Sequence, residues 1–252
     1  MVRYEYRILK DKTKIPDNCT EFRCYNLNLT ELPVLPNSLE ELYCFENKLT
    51  ELPELSNSLE KLWCSNNNLT YLPVLPNSLI ELQCCYNNLT LLQKLPMRLI
   101  ELLFSNNKLT ELPELPNSIE VLWCDQNKLI QLLVLPDSLK DLRCFDNILT
   151  ELPELPMKLK ELHCSNNNLT ELPVLPDSLI ILTCHNNKLI ELPELPILLK
   201  KLLCNNNNIK YLSPDNCKII KELIIYNISV LDNPFSANFT SNNDFKKYLM
   251  NL

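Results

Sequence analysis

The sequence predicts an all-β-like solenoid of short parallel strands joined by extended return segments. Three observations carry this prediction: a period of 20 residues, an inward–outward alternation in the strand segment, and two prolines in the segment that follows. A leucine stands at Leu42 and at every twentieth position through Leu202. Repeats of this length stack because a single unit cannot bury its own apolar face. The sequence therefore predicts about ten to eleven stacked repeats.

The strand segment is the part of the repeat that contains LEKLWCS. Side chains of a strand alternate between its two faces. Leu62 and Cys64 therefore point inward, while Lys61, Trp63 and Ser65 point outward. We expect the inward set to form the core and the outward set to line the concave face.

The return segment contains LTYLPVLP, in which Leu69, Leu72 and Leu75 turn inward again. Pro73 and Pro76 fix φ near −65° and favour an extended, polyproline-like backbone. Two prolines in so short a segment leave no room for a helix. We therefore expect extended return segments on the convex side and few or no helices, except for a terminal cap.

One asparagine recurs in every repeat, five residues after the inward leucine. Its side-chain amide can bond to the backbone of its own turn and of the adjacent turn. Stacked repeats then align these side chains into a ladder. The predicted ladder comprises Asn47, Asn67, Asn87, Asn107, Asn127, Asn147, Asn167, Asn187 and Asn207.

The unit L-x-x-L-x-C-x-x-N-x-L resembles the leucine-rich repeat, and the tail LTELPELP resembles its short, 20-residue bacterial-effector-like LPxLP subclass. The cysteine- and asparagine-rich composition also resembles leucine-rich repeat proteins predicted in giant DNA viruses. The resemblance covers roughly residues 15–235. It implies a right-handed superhelix and a role in binding other proteins.

The repeat boundaries predict three parts. Residues 1–18 form an N-terminal cap with a strand at Tyr4–Leu9, residues 19–235 form the solenoid, and residues 236–252 form a C-terminal cap. The first repeat is degenerate, because Leu27 occupies the ladder position.

The repeat step lengthens near the end of the solenoid. Ile220, Leu223 and Ile225 continue the leucine–cysteine series. The following Asn-Pro-Phe resembles the closing segment of leucine-rich repeat arrays. We expect a short helix after it, with Asn242 or Asn243 as its N-cap.

Nine cysteines occupy one inward position, where Phe104 replaces the cysteine once. A free cysteine behaves as a small buried hydrophobe, and a phenylalanine can replace a packing residue but not a ligand. We therefore expect a buried cysteine ladder. Disulfides between levels and zinc binding are the weaker alternatives, since in-register side chains fit a disulfide poorly and no paired C-x₂₋₄-C elements occur. Cys19, Cys85 and Cys217 lie off the column, and Cys85 is the one expected to react.

The outward strand positions hold both tryptophans and both histidines of the chain. Tryptophan, tyrosine and arginine dominate interface hot spots, although aromatic residues also suit exposed strands for their own sake. The edge column before the inward leucine is mainly acidic. The predicted partner-binding residues are Arg23, Tyr25, Tyr43, Phe45, Trp63, Trp123, Arg143, Phe145, His163 and His185.

Composition excludes several function classes. The net charge is −7, which disfavours nucleic-acid and anionic-membrane surfaces. The absence of glycine removes glycine-dependent phosphate loops. Neither a secretory leader nor a membrane span is evident, so we expect a cytoplasmic protein, including the host cytoplasm for an effector.

The function expected is a non-enzymatic module that binds a protein partner through its concave sheet. His163 and His185 lie on adjacent levels in different columns, and we expect no metal or cofactor there because no carboxylate or thiolate set completes a site. Alternatives are a substrate-recruiting adaptor for a ubiquitin ligase and a self-associating structural protein. Catalytic ligase activity is not expected, since only a short segment follows the Asn-Pro-Phe. We expect a monomer or weak self-association.

Overall fold

The computed structural model describes residues 3–5, 15–223 and 228–250. The chain forms two compact units, residues 1–128 and 129–252. Among these residues, each unit is a run of parallel strands of two or three residues that pair in sequence order, and neighbouring strands belong to successive repeats.

The described residues of the first unit form seven strands. Each pairs in parallel with the next, and Leu42 lies opposite Leu62, which in turn lies opposite Leu82. The strands are β1 (Arg3–Glu5), β2 (Glu21–Arg23), β3 (Glu41–Tyr43), β4 (Lys61–Trp63), β5 (Glu81–Gln83), β6 (Glu101–Leu103) and β7 (Val121–Trp123).

In the part of the second unit that the structure describes there are five strands and two α-helices. Its strands again pair in parallel, so that Leu162 lies opposite Leu142 and Leu182. The elements are β8 (Asp141–Arg143), β9 (Glu161–His163), β10 (Ile181–Thr183), β11 (Lys201–Leu203), α1 (Pro214–Glu222), β12 (Ile228–Ser229), a 3₁₀ turn (Pro234–Ser236) and α2 (Asn242–Met250).

The core of each unit is built from the inward columns. The central leucine of each strand from β3 to β11 is fully buried, as are the column cysteines and most of the leucines after the ladder asparagine. Between residues 15 and 213 the segments that join the strands contain no helix. The predicted fold class, a leucine-rich repeat solenoid of parallel strands and extended return segments, is confirmed.

The prediction that Ile220 and Leu223 continue the strand series is wrong. Ile220 lies in α1, a buried residue of a helix that begins at Pro214. Ser213 caps this helix, because its Oγ accepts a hydrogen bond from Asn216 N at 3.1 Å. Ile225 lies outside the described residues. The next strand begins at Ile228, opposite Leu202, so the step here is 26 residues (228 minus 202).

Helix α2 lies in the segment where a terminal helix was expected, but its cap differs from the prediction. Ser241 Oγ accepts the hydrogen bond from Asp244 N at 3.1 Å. Asn242 Oδ1 instead accepts from Val230 N at 3.1 Å, which ties the start of α2 to β12. At the other end of the chain, β1 covers Arg3–Glu5, and the remainder of the strand predicted at Tyr4–Leu9 lies outside the described residues.

A left-handed backbone occurs at the bend after each strand from β2 to β12, and again at Asn28 in the first repeat. Asparagine or aspartate fills most of these positions, since these residues tolerate a positive φ better than other residues with a side chain. Glu46, Tyr86 and Gln126 also adopt φ between 52° and 55°. Three repeats therefore place a larger side chain in the left-handed conformation without glycine, asparagine or aspartate.

The cysteine column is buried, as predicted. All nine of its cysteines are at most 1% exposed, and every one is a free thiol. Phe104 occupies the same column and is also fully buried. The position is therefore a packing position that accepts side chains of very different volume.

Replacing Phe104 with cysteine is expected to destabilise the protein even though it makes the repeat more regular. The surrounding core is packed around an aromatic ring, so the smaller side chain leaves a cavity. We expect a loss of about 2–4 kcal/mol in the free energy of unfolding. Denaturant unfolding of Phe104→Cys measures this, with Cys84→Ala as the control at about 1 kcal/mol. An unchanged midpoint for Phe104→Cys would show that the column is loosely packed.

Candidate partner-binding face

The exposed strand face consists of the side chains before and after each inward strand leucine, together with the residue after the column cysteine. These positions point away from the leucine core because strand side chains alternate. Neighbouring strands lie close together, so side chains at equivalent positions cover one another. Of the ten predicted binding residues, nine are half-buried and Tyr43 is 8% exposed.

Five of the predicted residues form an aromatic cluster in the first unit. The rings of Tyr25 and Phe45 stack with centroids 4.6 Å apart and planes at 4°. Tyr43 and Trp63 meet edge-on, with centroids 4.9 Å apart. The guanidinium of Arg23 lies 4.8 Å from the ring centroid of Tyr43. These contacts hold the rings in place before any partner binds.

The edge of this cluster carries carboxylates. Tyr43 Oη donates to Glu41 Oε2 at 2.7 Å, and burial together with this bond raises the pKa of Tyr43. Lys61 Nζ lies 3.8 Å from Glu41 Oε1 and 3.4 Å from Glu81 Oε1, so one ammonium group forms ion pairs with two carboxylates. Burial and the nearby Glu81 raise the pKa of Glu101. Excess negative charge therefore borders the aromatic cluster.

Trp63 has an unsatisfied polar group. Its indole Nε1 is buried, and no hydrogen-bond acceptor is found for it among the described residues. Buried tryptophan N–H groups usually have a partner, and an unpaired one costs free energy. Trp63 thus combines a large apolar surface with an indole N–H that has no hydrogen-bond acceptor among the described residues.

Trp123 and the second unit supply the other predicted residues. Trp123 is half-buried at the end of β7. In the second unit Arg143, Phe145, His163 and His185 are all half-buried. His185 Nδ1 lies 2.8 Å from Ser165 Oγ, and burial lowers its pKa.

A group of ionisable side chains surrounds His163. One ligand atom from each of Asp141, Glu161 and His163 lies within 4.8 Å of the others. Two carboxylates therefore lie beside His163, an arrangement that the comparison of its column with that of His185 did not indicate. The edge column places Asp141 and Glu161 on adjacent strands, and His163 follows Glu161 by two residues on the same face.

The asparagine column bonds successive repeats together. Asn67 Nδ2 donates to Cys44 O at 3.0 Å and to Cys64 O at 3.1 Å, while its Oδ1 accepts from Leu49 N at 3.0 Å. The other members of the column bond in the same way. The predicted ladder residues therefore hold the strand ends rather than face a ligand.

Sequence reasoning missed one ladder member. Asn233 Nδ2 donates to Cys204 O at 2.9 Å and to Val230 O at 3.0 Å, and its Oδ1 accepts from Ile209 N at 3.1 Å. The signal was present, since I-x-V-x-x-N from Ile228 matches L-x-C-x-x-N.

The cysteines lack the features of a nucleophile. Burial raises the pKa of Cys24, Cys164 and Cys204 to about 12, so these thiols stay protonated at neutral pH. Cys85 is half-buried, and burial raises its pKa as well, against hydrogen bonds from Ser105 and Ser65 that lower it. The greater reactivity expected for Cys85 stays a prediction.

The fold matches solved leucine-rich repeat structures. YopM from Yersinia enterocolitica WA-314 is 35% identical over 88% of this chain, with a TM-score of 0.73. The functional domain of InlJ from Listeria monocytogenes, described as including a cysteine ladder, is 27% identical over 79% of the chain and 49% of its own length, with a TM-score of 0.57. The Leptospira interrogans leucine-rich repeat protein LIC12759 shares the fold at 21% identity, over 95% of this chain and 80% of its own, with a TM-score of 0.53.

The chain spans about half the length of YopM, 53%, and of InlJ. No protein-family model matches the sequence, and no curated protein matches it either. Among the residues that the structure describes, no helix has the length and apolar character needed to cross a membrane.

Proposed function

We propose that this chain, which has the leucine-rich repeat fold, is a non-enzymatic module that binds a protein partner through the exposed strand face. The aromatic cluster around Trp63 carries the proposal. Leucine-rich repeat solenoids commonly present their strand face to other proteins, because stacked repeats give an extended surface. The aromatic cluster and the charged side chains around it support this face as the binding surface.

The cluster has the composition of an interface hot spot. Tyr25, Phe45, Tyr43 and Trp63 supply aromatic surface, and Arg23 adds a cation that stacks on one ring. Side chains of these types contribute most of the binding free energy at protein interfaces. Their mutual contacts also reduce the conformational entropy lost on binding, because the rings are already ordered.

The charges around the cluster indicate the kind of partner. Lys61 is the basic member of an edge that also contains Glu41, Glu81 and Glu101. A partner that brings an apolar or aromatic group to Trp63 and a basic group to this edge complements both features. We therefore propose a partner with a basic patch beside an apolar anchor.

Replacing Trp63 with alanine is expected to abolish partner capture with little effect on stability. The substitution removes the largest ring of the cluster and the edge contact with Tyr43. Loss of an interface tryptophan costs about 2 kcal/mol or more in binding, roughly a thirtyfold drop in affinity. The measurement is an affinity pull-down with quantitative mass spectrometry, followed by titration of the captured protein. We expect Trp123→Ala to weaken partner binding as well.

Tyr71→Ala is the matched control. Tyr71 is an exposed aromatic residue of a return segment, and its hydroxyl bonds to Glu51 at 3.0 Å. Binding should survive Tyr71→Ala and be lost with Trp63→Ala, while both variants keep melting temperatures near that of the wild type. Equal binding by the Trp63→Ala variant would remove the proposal.

The remaining sequence-based expectations stay predictions. These are the resemblance to giant-virus proteins, a cytoplasmic location including the host cytoplasm, the boundaries of the two caps, the lack of nucleic-acid binding and a monomeric or weakly associating state. The adaptor and self-association alternatives also stay predictions. Sedimentation over a concentration series distinguishes self-association from binding of a different protein.

A further inference from the structure

We propose that Asp141, Glu161 and His163 form a binding site for one divalent transition-metal ion, of which Zn²⁺ fits the ligands best. The site lies on the exposed strand face of the second unit, where β8 and β9 are neighbours. The proposal does not rest on the partner-binding function, whose aromatic cluster lies in the first unit, although His163 is also one of the ten predicted binding residues.

The ligand types suit such an ion. A histidine nitrogen with carboxylate oxygens is a common donor set for Zn²⁺, and three protein ligands leave one position for water. The three atoms lie within 4.8 Å of one another. Around a tetrahedral Zn²⁺ with bonds of about 2.1 Å the same atoms would lie about 3.4 Å apart. Side-chain movements on the order of 1 Å therefore close the site.

The register of the sheet explains why the three residues meet. Asp141 lies directly opposite Glu161, at equivalent positions of adjacent parallel strands. His163 follows Glu161 by two residues, so its side chain lies on the same face. The rigid strands thus set the spacing, and rotations of the side chains alone close the site.

His163 is oriented for coordination by its second nitrogen. Nδ1 lies 3.1 Å from Thr183 Oγ1, and Nε2 lies 3.5 Å from Glu161 Oε2. When Nδ1–H donates to the threonine hydroxyl, the Nε2 lone pair faces the carboxylate, an arrangement that a cation between them stabilises. Metal-bound histidines ordinarily donate their other N–H to such a partner, which fixes the tautomer.

The neutral ring is the form that binds a metal, because the ion takes the lone pair of a ring nitrogen. In His163 that nitrogen is Nε2 when Nδ1 donates to Thr183 Oγ1.

Arg143 opposes the ion. Its Nη2 lies 3.4 Å from Asp141 Oδ2, so the guanidinium shares a carboxylate with the proposed site. A cation that enters must weaken this contact and sit near a like charge. Arg143 therefore lowers the affinity of the site for Zn²⁺. Replacing Arg143 with an uncharged residue should increase that affinity.

The test is a Zn²⁺ titration of the full chain, followed by NMR of the imidazole nitrogens. The chain contains two histidines, so each ring is resolved without ambiguity. We expect the His163 Nε2 signal to shift and saturate at one equivalent, while His185 stays nearly unchanged. Zn²⁺ uptake by the thiols without a shift of His163 would overturn the proposal.

Four variants make the test specific. Glu161→Gln and Asp141→Asn keep the shape of the side chain and should each weaken Zn²⁺ binding roughly tenfold or more. His185→Ala, in the next repeat, should bind as the wild type does. Arg143→Met keeps the apolar stem and should bind roughly five- to tenfold more tightly. Wild-type affinity in Glu161→Gln, or an equal loss in His185→Ala, would show that the group is not a metal site.

Discussion

Raising the pH above about 9 is expected to unfold the protein steeply, because the buried cysteine column must stay protonated. Burial raises the thiol pKa in the folded state for eight column cysteines. They are Cys24, Cys44, Cys64, Cys84, Cys124, Cys164, Cys184 and Cys204. In the unfolded chain the same thiols ionise near pH 9.

The direction follows from proton linkage. Between the unfolded and the folded pKa values, roughly pH 9 to 12, the folded state binds more protons than the unfolded state. Stability is therefore complete below pH 9 and falls as the pH rises through this window. Each thiol contributes about 1.4 kcal/mol per pH unit, so eight thiols cost roughly 11 kcal/mol by pH 10. That is comparable with the total stability of an ordinary domain.

Circular dichroism melts from pH 7 to pH 11 under reducing conditions measure this effect. Cys64→Val and Cys84→Val together provide the comparison, because they remove two titrating groups and keep apolar side chains in the column. The slope of stability against pH above 9 should fall by about a quarter in this double variant. A stability that does not change between pH 8 and pH 10 would contradict a protonated, buried column.

Replacing Asn67 with alanine is expected to cost about 2–4 kcal/mol of unfolding free energy. The side chain is 7% exposed, and its loss leaves Leu49 N without its acceptor. Cys44 O and Cys64 O each lose one of two donors, because Asn47 Nδ2 and Asn87 Nδ2 still bond to them at 3.0 Å. Each buried backbone group left without a partner costs about 1–3 kcal/mol. Urea unfolding of Asn67→Ala measures the loss.

The neighbouring asparagine supplies a close control. Asn68 is exposed, and its backbone N–H donates to Leu49 O at 2.8 Å, a bond that alanine retains. Asn68→Ala should change stability by less than about 0.5 kcal/mol. Similar losses at both positions would show that the ladder bonds contribute little beyond asparagine's local preferences.

Most of the fold was predictable because the same alternation of apolar and polar side chains recurs in every repeat. Leu62 and Cys64 alternate with Lys61 and Trp63, and stacking at a constant step converts that alternation into a core and a face. Helix α1 was missed although Ser213-Pro214 is a recognisable helix start. The expectation of a further strand there gave the repeat pattern more weight than the local capping signal.

The side chains that meet on the exposed strand face were only partly predictable from the 20-residue columns of the sequence. His163 was compared with His185, one repeat away, when the groups that meet it are Glu161 on its own strand and Asp141 on the neighbouring one. In-register pairing places those three together, so the edge column contained the information. The edge-on meeting of Tyr43 and Trp63 was not predictable, because side-chain rotamers depend on packing that no spacing encodes.

The ladder geometry also bears on how such a chain can change length over generations. The side chain of Asn67 bonds to its own repeat and to the one before it, 18 to 23 residues back, and the other asparagines of the regular repeats do the same. A whole repeat that is duplicated or lost therefore leaves every remaining asparagine with the same set of partners. Copy number can drift by unequal recombination without a redesign of the core, whereas a change of one or two residues within a repeat breaks the pairing of that strand with its neighbours.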